Sequence, residues 1–257
     1  MKTRIGVAGW TIPRTSVEAF SAEGASVLAR YAQVFDAVEI NSSFYRPHKP
    51  QTYARWAASV PEGFRFAVKA PKTVTHDRRL VEPEEPLARF FAEVGELGPK
   101  LGPILIQLPP SLDFGPAAAA FLGRWRELYE GATVLEPRHA SWFTEEVEQE
   151  LAAARIARVA ADPAVVPVAG RPGGWSGLAY ARLHGSPVMY SSAYGEAAIA
   201  EAVGMLGACS AATETWCIYD NTRLGAATAD ALVHLRRYSA AENAGVALEA
   251  DAARARF

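Results

Sequence analysis

Residues 4–41 read RIGVAGWTIPRTSVEAFSAEGASVLARYAQVFDAVEIN and contain two β-rich runs on either side of an amphipathic segment. The runs are RIGVAG at 4–9 and AVEIN at 37–41. Between them, apolar side chains recur with the spacing of one helix face, at Val27, Leu28, Tyr31, Val34 and Phe35. Strand, helix and strand in this order predict a β–α–β unit with two parallel strands.

The same alternation continues along the rest of the chain. Further strands are predicted for RFAVK, PILIQ, TVLE, RVAA, AYARL and TWCIY, at 65–69, 103–107, 133–136, 158–161, 179–183 and 215–219. Further helices are predicted from Pro86 to Leu97 and at 116–129, 143–154, 195–207 and 225–237. DPAVVPVAGRPGGWSGL at 162–178 contains too many proline and glycine residues for a helix, so we expect an irregular loop there.

Eight strands that alternate with helices favour an α/β fold with a single TIM-like (β/α)8 barrel over residues 1–238. The length of 257 residues is typical of one such domain. A doubly wound open sheet is the alternative, but GVAGWT after the first strand does not fit the GxGxxG pattern of dinucleotide-binding folds. The Ala-rich, charged residues 239–257 predict a C-terminal helix or a frayed tail.

Composition narrows the classes of partner. A net charge of −2 and a pI near 6.2 argue against nucleic acid as the partner, although they allow a local basic pocket. The sequence shows neither a secretory leader nor an apolar run of about 20 residues, so we expect no membrane partner. Cys209 and Cys217 lack a CxxC spacing, which indicates free thiols in a cytoplasmic protein. The sequence carries no indication of the oligomeric state.

Polar and ionisable side chains concentrate where the predicted strands end. Four of the five histidines lie on this side, namely His48, His76, His139 and His184. In a (β/α)8 barrel the loops that follow the strands form the ligand-binding rim. Strand alternation directs Glu39 and Asn41 toward the barrel axis, where a polar group costs free energy unless it is paired or used. We therefore expect these residues to converge in one site.

The residue types predict acid–base chemistry on a small anion. Lys69, Arg138 and Arg182 favour a phosphorylated, carboxylated or sugar-like ligand, because guanidinium groups bind carboxylate and phosphate through two parallel hydrogen bonds. The predicted catalytic residues are Glu39, Lys69, Glu136, His139 and His184. The predicted substrate-binding residues are Trp10, Asn41, Tyr45, His76, Gln107, Arg138, Trp142, Arg182, Asp220 and Asn221. The first hypothesis is therefore an enzyme, a hydrolase, lyase or isomerase, that needs neither a metal nor a cofactor.

Other interpretations stay open. A metal-dependent hydrolase such as a phosphodiesterase would use Glu39, Glu136, His184 and Asp220 as ligands of Mn, Mg or Zn, although HxH and HExxH spacings are missing. A Schiff-base lyase would act through Lys69. A non-catalytic ligand- or partner-binding protein would use the same residues without turnover. The charges would also serve as an ion-pair network that holds the mouth of the barrel together.

Six ordered motifs cover nearly the whole chain, namely VEINSSFYRP (38–47), FAVKAPKTVTH (66–76), KLGPILIQLPP (100–110), EPRHASW (136–142), YARLHG (180–185) and YDNTRLGAA (219–227). They resemble the successive signatures of the domain of unknown function 72 family, the YecE-like proteins. The resemblance implies a TIM-barrel-like fold and no activity, since the family is named for lacking one. Pro137 and Ala181 depart from the family pattern, which typically has an aromatic residue and a valine there.

Overall fold

The computed structural model of the chain describes the backbone of residues 2–254 and the side chains of residues 2–240. The strands are β1 Lys2–Val7, β2 Ala37–Ile40, β3 Arg65–Lys69, β4 Leu101–Gln107, β5 Thr133–Glu136, β6 Ala157–Arg158, β7 Ala160–Asp162, β8 Gly173–Gly174, β9 Leu178–Leu183 and β10 Glu214–Tyr219. The α-helices are α1 Val27–Tyr31, α2 Ser42–Tyr45, α3 Pro50–Ala58, α4 Glu84–Val94, α5 Pro116–Leu128, α6 Glu145–Ala153, α7 Glu196–Gly207 and α8 Ala226–Arg254.

The elements follow the hydrophobic pattern of the sequence, with three differences. The predicted strand at 158–161 is divided at Val159 into β6 and β7. The predicted loop at 162–178 contains no α-helix in the described backbone, but it does contain a 3-10 helix and the short strand β8. Helices α2 and α3 were not predicted, although Pro50 in the first turn of α3 is a typical start signal.

The C-terminal part of the described chain is helical. Helix α8 continues without interruption to Arg254, so residues 239–254 extend the helix that begins at Ala226. Residues 255–257 of the predicted tail lie outside the described residues. The division of the chain into 1–238 and 239–257 stays a prediction. Within the described part of the chain, no helix has the length and apolar character needed to span a bilayer.

The strands form two sheets. One has the order β1-β10-β9-β7, with all of its neighbours parallel. The other has the order β2-β3-β4-β5-β6-β8 and is parallel except for the β6–β8 pair. The α/β class with parallel strands is therefore confirmed. The single closed sheet of a TIM-like barrel, which the strand count predicted, does not form among the described residues.

A tyrosine hydroxyl separates the two sheets on one side. Tyr31 in α1 accepts a hydrogen bond from the Val7 amide at 3.0 Å and donates one to the Ala37 carbonyl, also at 3.0 Å. The hydroxyl thus stands where a direct bond between β1 and β2 would lie. Beyond it, Ala8 and Glu39 form an isolated bridge.

A short antiparallel strand separates the sheets on the other side. Gly173 and Gly174 of β8 pair with Arg158 and Ala157, so this edge of β6 is occupied. The chain pairs with β9 only from Ala160 onward, where it has entered the other sheet. A side chain at Gly174 would meet the Ile156 carbonyl at 2.6 Å, and its φ of 63° favours glycine, so the crossing depends on this residue.

Alternate residues of a strand point to the same face of a sheet. The side chains that face the space between the two sheets therefore form layers that are two residues apart along each strand. The apolar layer contains buried residues from both sheets, Ala37, Ala67, Leu105, Val134, Tyr180 and Ile218. The polar layer lies two residues further along the same strands and consists of Glu39, Lys69, Gln107, Glu136, Arg182 and Asp220. The helices pack outside the sheets against a larger cluster that includes Tyr31, Phe35, Phe66 and Trp125. The fold thus sets a polar layer directly on an apolar one.

Candidate functional site

Arg182 is the centre of the polar layer. Its guanidinium donates to both oxygens of Glu39, at 2.7 and 3.0 Å, to Oε2 of Glu136 at 2.6 Å and to Oδ2 of Asp220 at 2.9 Å. These four side chains are buried. One cation therefore holds three carboxylates, which come from β2, β5 and the end of β10. Their mutual repulsion makes each of them dependent on Arg182.

His184, one residue beyond β9, lies between two of these carboxylates. Its Nδ1 is 3.0 Å from Asp220 Oδ2, and its Nε2 is 3.0 Å from Glu136 Oε1. Arg138 Nη2 lies 2.5 Å from the same Glu136 oxygen and 2.9 Å from His184 Nε2. Whichever ring nitrogen carries the proton, a carboxylate is in place to accept it. The ring is thus held in a fixed orientation, as an acid–base histidine requires.

The surrounding cations determine the protonation of the carboxylates. Burial alone would raise the pKa of Glu136, but Arg182, followed by His184 and Arg138, holds it well below its usual value. Burial opposes ionisation of Asp220 in the same way, and Arg182 together with His184 holds its pKa below the usual value. Both groups are therefore anions at neutral pH. They can orient a cation or a histidine, but they carry no proton to donate.

Lys69 differs from the two arginines because it has no carboxylate partner. Its ammonium lies 4.0 Å from the centroid of the Phe44 ring. No ion pair within 4.0 Å includes Lys69 among the side chains described. Burial, followed by the charge of Arg182, lowers the pKa of Lys69 to about 8, against the opposing effects of Glu39, Glu136 and Asp220. The amine therefore changes protonation state close to neutral pH.

Two amides lie at the edge of the polar layer. Gln107 donates to Glu136 Oε2 at 3.3 Å, and Asn41 donates to Asp220 Oδ1 at 3.3 Å. Asn41 Oδ1 and Arg138 Nε are buried without a hydrogen-bond partner among the described residues. Buried polar atoms are seldom left unpaired in folded proteins. A ligand with a donor for Asn41 and an acceptor for Arg138 would satisfy both atoms.

Three predicted binding residues lie outside this cluster, toward the surface. The His76 and Tyr45 rings both stand edge-on to Phe44, at 4.9 and 5.0 Å, and Tyr45 is 71% exposed. Burial, followed by the Lys69 charge, lowers the pKa of His76. Trp10 packs against Trp56 with 5.0 Å between ring centroids. His76 and Tyr45 thus contact the Phe44 ring, which also contacts the Lys69 ammonium.

Three other predicted site residues make their contacts outside the polar layer, and their part in a site stays a prediction. Trp142 is buried, and its indole N–H donates to the Leu112 carbonyl at 2.9 Å. His139 Nδ1 is 2.8 Å from the Ser141 hydroxyl at the start of a 3-10 helix. Asn221 donates to Asp230 at 2.7 Å and so binds the start of α8.

The parity of the strands explains why two of these side chains point away from the polar layer. His139 is an odd number of residues from Glu136, and Asn221 directly follows Asp220. In an extended segment such neighbours point to opposite faces. A position after a strand predicts which end of the fold a residue occupies, whereas the direction of its side chain depends on parity.

Sequence reasoning missed three aromatic residues that contact the site. The Phe44 ring contacts the Lys69 ammonium, and the Tyr180 hydroxyl donates to Glu39 Oε2 at 2.9 Å. The Tyr190 ring stands edge-on to His184 with 5.6 Å between centroids. Tyr180 was recognisable, because it lies two residues before Arg182 on the same face of β9. Tyr190 lies in a loop with a φ of 64°, for which the sequence carries no signal.

The donor atoms of the alternative metal site are already engaged. Both oxygens of Glu39 and one of Glu136 accept from Arg182, and both ring nitrogens of His184 face carboxylates. Among the described residues, no group of three or more His, Cys, Asp or Glu side chains is arranged to hold a metal ion. A metal at this position would have to displace Arg182, so the donor set does not fit one.

A cavity of about 220 Å³ lies beside the polar layer. It is lined by residues of α2, of the segment after β3 and of α4, among them Phe44, Lys72 and Phe90. A second cavity of about 420 Å³ lies near the start of β1 and is lined by Lys2, Val34 and Leu235, among others. Neither is lined by the polar layer. Arg182 is completely enclosed, so any contact of the polar layer with a ligand has to occur at its edge.

A protein-family comparison finds a match over residues 4–255 to the family described as "Protein of unknown function DUF72". The resemblance inferred from the six motifs is thereby confirmed. The chain is 28% identical over 148 residues to the UPF0759 protein YecE of Escherichia coli K12, which covers 57% of this chain and 52% of that protein. It is 30% identical over 148 residues to the UPF0759 protein YunF of Bacillus subtilis 168, covering 54% and 52%. The chain spans about half the length of the curated relatives that it matches.

Two solved structures share the fold. A DUF72 family protein from Thermotoga maritima, solved by crystallography at 2.20 Å, superposes with a TM-score of 0.79 and 23% identity over 93% of this chain and 100% of that one. One from Enterococcus faecalis, solved at 2.52 Å, superposes with a TM-score of 0.76 and 21% identity over 93% and 98%. At these identities the likeness shows the fold alone.

Proposed function

This chain belongs to the DUF72 family, and we propose that it is an enzyme that binds a small anion at the edge of its polar layer. The substrate is phosphorylated, carboxylated or sugar-like, and the chemistry is general acid–base catalysis. One observation carries the proposal: Lys69 is a buried amine without a carboxylate partner, and its pKa is lowered to about 8. Buried lysines in purely structural roles are normally paired, because an unpaired buried charge is costly.

The anion would bind to Lys69 and Arg138 rather than to Arg182. The hydrogen bonds of Arg182 go to three carboxylates, and the side chain is fully enclosed. Arg138 is partly accessible, and its Nε has no partner among the described residues. Asn41, whose Oδ1 is likewise unpaired, supplies an acceptor for a substrate hydroxyl.

Lys69 is the group best suited to transfer a proton. A pKa of about 8 allows Lys69 to act as either acid or base near neutral pH. His184 is fully buried with both ring nitrogens against Glu136 and Asp220, so it would act by positioning Arg138 and these carboxylates. Glu39 and Glu136, which the sequence suggested as catalytic, would then act by holding Arg182 and His184 in place.

We also propose that the two sheets are the halves of an interrupted (β/α)8 barrel. The Ala8–Glu39 bridge continues the strand order from β1 to β2, and a single residue, Val159, separates β6 from β7. In such a barrel the ligand binds at the carboxyl ends of the strands, which is where the polar layer lies.

Calorimetric titration with inorganic phosphate at low ionic strength tests the anion site. We expect phosphate to bind, and to bind more weakly at high salt because the charges are screened. Lys69→Met should lower the affinity at least tenfold, which corresponds to about 1.4 kcal/mol. Lys49→Met is the matched control, since Lys49 is an exposed lysine at the start of α3, and it should bind as the wild type does.

Absence of phosphate binding by the wild-type chain, or equal binding by Lys69→Met, would contradict the anion site. A screen of phosphorylated and carboxylated compounds then tests the enzyme. Turnover should rise with pH around the Lys69 pKa if the amine acts as a base, and fall there if it acts as an acid. Binding that depends on Lys69, with no turnover of any compound, would instead identify a non-catalytic binding protein.

A further inference from the structure

We propose that the cavity lined by α2, the segment after β3 and α4 is a second binding site, for a small planar organic anion such as an aryl phosphate or an aryl carboxylate. The cavity encloses about 220 Å³ and contains no side chain of the polar layer. It is smaller than the sites that hold drug-sized molecules, so it suits a ligand of one ring with one charged group. The proposal does not depend on the function proposed for the polar layer.

The apolar part of the cavity consists of aromatic and proline side chains. Six of them line it, Phe44, Tyr45, Pro47, Pro71, Pro86 and Phe90. Phe90 is buried in the core, and proline has no side-chain freedom to lose on binding. Aromatic faces and proline rings favour contact with a flat ring over contact with a flexible chain. The residue types of the lining thus favour an aromatic or otherwise planar ligand.

The acidic groups of the cavity are already paired. Its lining contains two carboxylates, Glu85 and Glu93. Arg89 Nε lies 2.8 Å from Glu93, and Arg78 Nη2 lies 3.3 Å from Glu85, so two arginines of the lining neutralise both.

The remaining charges of the lining are positive. They belong to Arg46 and Lys72. Lys72 pairs with Asp77 at 3.4 Å, and Asp77 does not line the cavity. Arg46, which is exposed, takes part in no ion pair among the described side chains. A guanidinium without a carboxylate partner, in a lining that also contains aromatic and proline side chains, is suited to a bidentate contact with a carboxylate or phosphate.

The two sites are neighbours and share Phe44. The Phe44 ring lines the cavity and also lies 4.0 Å from the Lys69 ammonium. The Ser43 hydroxyl, which likewise lines the cavity, donates to the Lys69 carbonyl at 2.7 Å. Phosphate-containing probes would therefore bind at both positions in the wild-type chain, and the experiment has to separate them.

The two sites are separated by calorimetric titration of Lys69→Met with phenyl phosphate, because this variant weakens the polar-layer site and leaves the cavity unchanged. We expect one equivalent to bind, at least tenfold more tightly than inorganic phosphate, because only phenyl phosphate buries a ring. Arg46→Gln in the same background should weaken phenyl phosphate binding at least fivefold. Thr73→Trp should abolish it by filling the cavity from an exposed position in its lining. Arg55→Gln removes an exposed arginine of α3 outside the cavity and is the matched control, which should bind normally.

Two results would overturn the second site. One is no binding of phenyl phosphate by Lys69→Met that circular dichroism shows to be folded; if this variant does not fold, Lys69→Gln is titrated in its place. The other is binding that neither Arg46→Gln nor Thr73→Trp changes. Failure of the polar-layer site would be seen separately, as wild-type protein that does not bind inorganic phosphate at low salt while phenyl phosphate still binds.

Discussion

The apolar and polar layers lie on the same strands and differ by two residues in sequence position. On β4, Leu105 belongs to the first and Gln107 to the second, and on β9 the same step leads from Tyr180 to Arg182. Both layers are buried between the two sheets, so aliphatic side chains would be suited to either position. The apolar layer is filled mainly in that way, whereas the polar layer contains three carboxylates and a guanidinium in direct contact.

The difference shows that the polar layer is not needed to fill space. Buried ion pairs often contribute no more stability than apolar residues of similar volume. The layer also contains groups that stability does not account for, namely an unpaired Lys69 and the unpaired atoms of Asn41 and Arg138. A cost of this kind is typical of functional sites. The comparison therefore predicts that changes in either layer lower stability, whereas only changes in the polar layer weaken ligand binding.

The largest effect is expected for Arg182→Met, which removes the common partner of three buried carboxylates. Uncompensated buried charge costs about 3–5 kcal/mol of unfolding free energy. Urea denaturation at pH 7 should show this loss. Arg237→Met breaks an exposed pair with Glu196 and should change stability by less than about 1 kcal/mol. A loss of similar size in both variants would mean that Arg182 does not organise the layer.

An equal or smaller loss is expected for Leu105→Ala in the apolar layer, because truncation of a buried leucine costs about 2–5 kcal/mol. The phosphate affinity of this variant should stay unchanged, since Leu105 belongs to the apolar layer and does not reach the edge of the polar layer where the anion would bind. Gln107→Ala, two residues further along β4, removes one hydrogen bond of 3.3 Å to Glu136 and should cost about 1 kcal/mol. Denaturation and calorimetry on the two variants test the comparison within one strand. Weaker phosphate binding by Leu105→Ala alone would contradict it.

The order of strands and the convergence of the site were predictable, because both follow from local patterns. Runs of β-branched residues separated by helix-length intervals fixed the parallel strands. Period-two alternation placed Glu39, Glu136 and Arg182 on one face. The division into two sheets was not predictable, since it depends on where the Tyr31 hydroxyl of the intervening helix α1 is placed and on the pairing of β8 with β6.

The differences at the site have a common physical cause. A position after a strand does not determine the direction of a side chain, and those of His139, Trp142 and Asn221 bond to the loops and to α8. Phe44 and Tyr190 were missed because aromatic residues next to a polar cluster leave no periodic signal. The sequence therefore identified which charged residues meet, whereas the aromatic residues beside them required the structure.

The burial of the charged Lys69 lowers the unfolding free energy, and the size of this loss depends on pH. Its pKa in the folded chain is about 8, below the ordinary value of 10.5, so the folded state binds fewer protons than the unfolded state between these values. Stability therefore rises as the pH increases from about 8 to 10.5, and below pH 8 the full cost is present. That cost is about 3 kcal/mol, since one pKa unit is worth about 1.4 kcal/mol. A variant without the Lys69 charge would also lose the cation–π contact with Phe44, which would offset about 1–2 kcal/mol of the stability gained.

The most direct test of the account is the difference in unfolding free energy between Lys69→Met and the wild type, measured by urea denaturation from pH 7 to pH 10.5. The account predicts that Lys69→Met is more stable at pH 7 by about 1 kcal/mol, because a buried charge without a partner has been removed. The wild type should gain about 3 kcal/mol between pH 8 and 10.5, so the advantage of the variant should vanish within this range and the wild type should be the more stable at pH 10.5. A variant that is less stable at pH 7, or a difference that does not change with pH, would show that Lys69 supports the fold and would contradict its assignment to function.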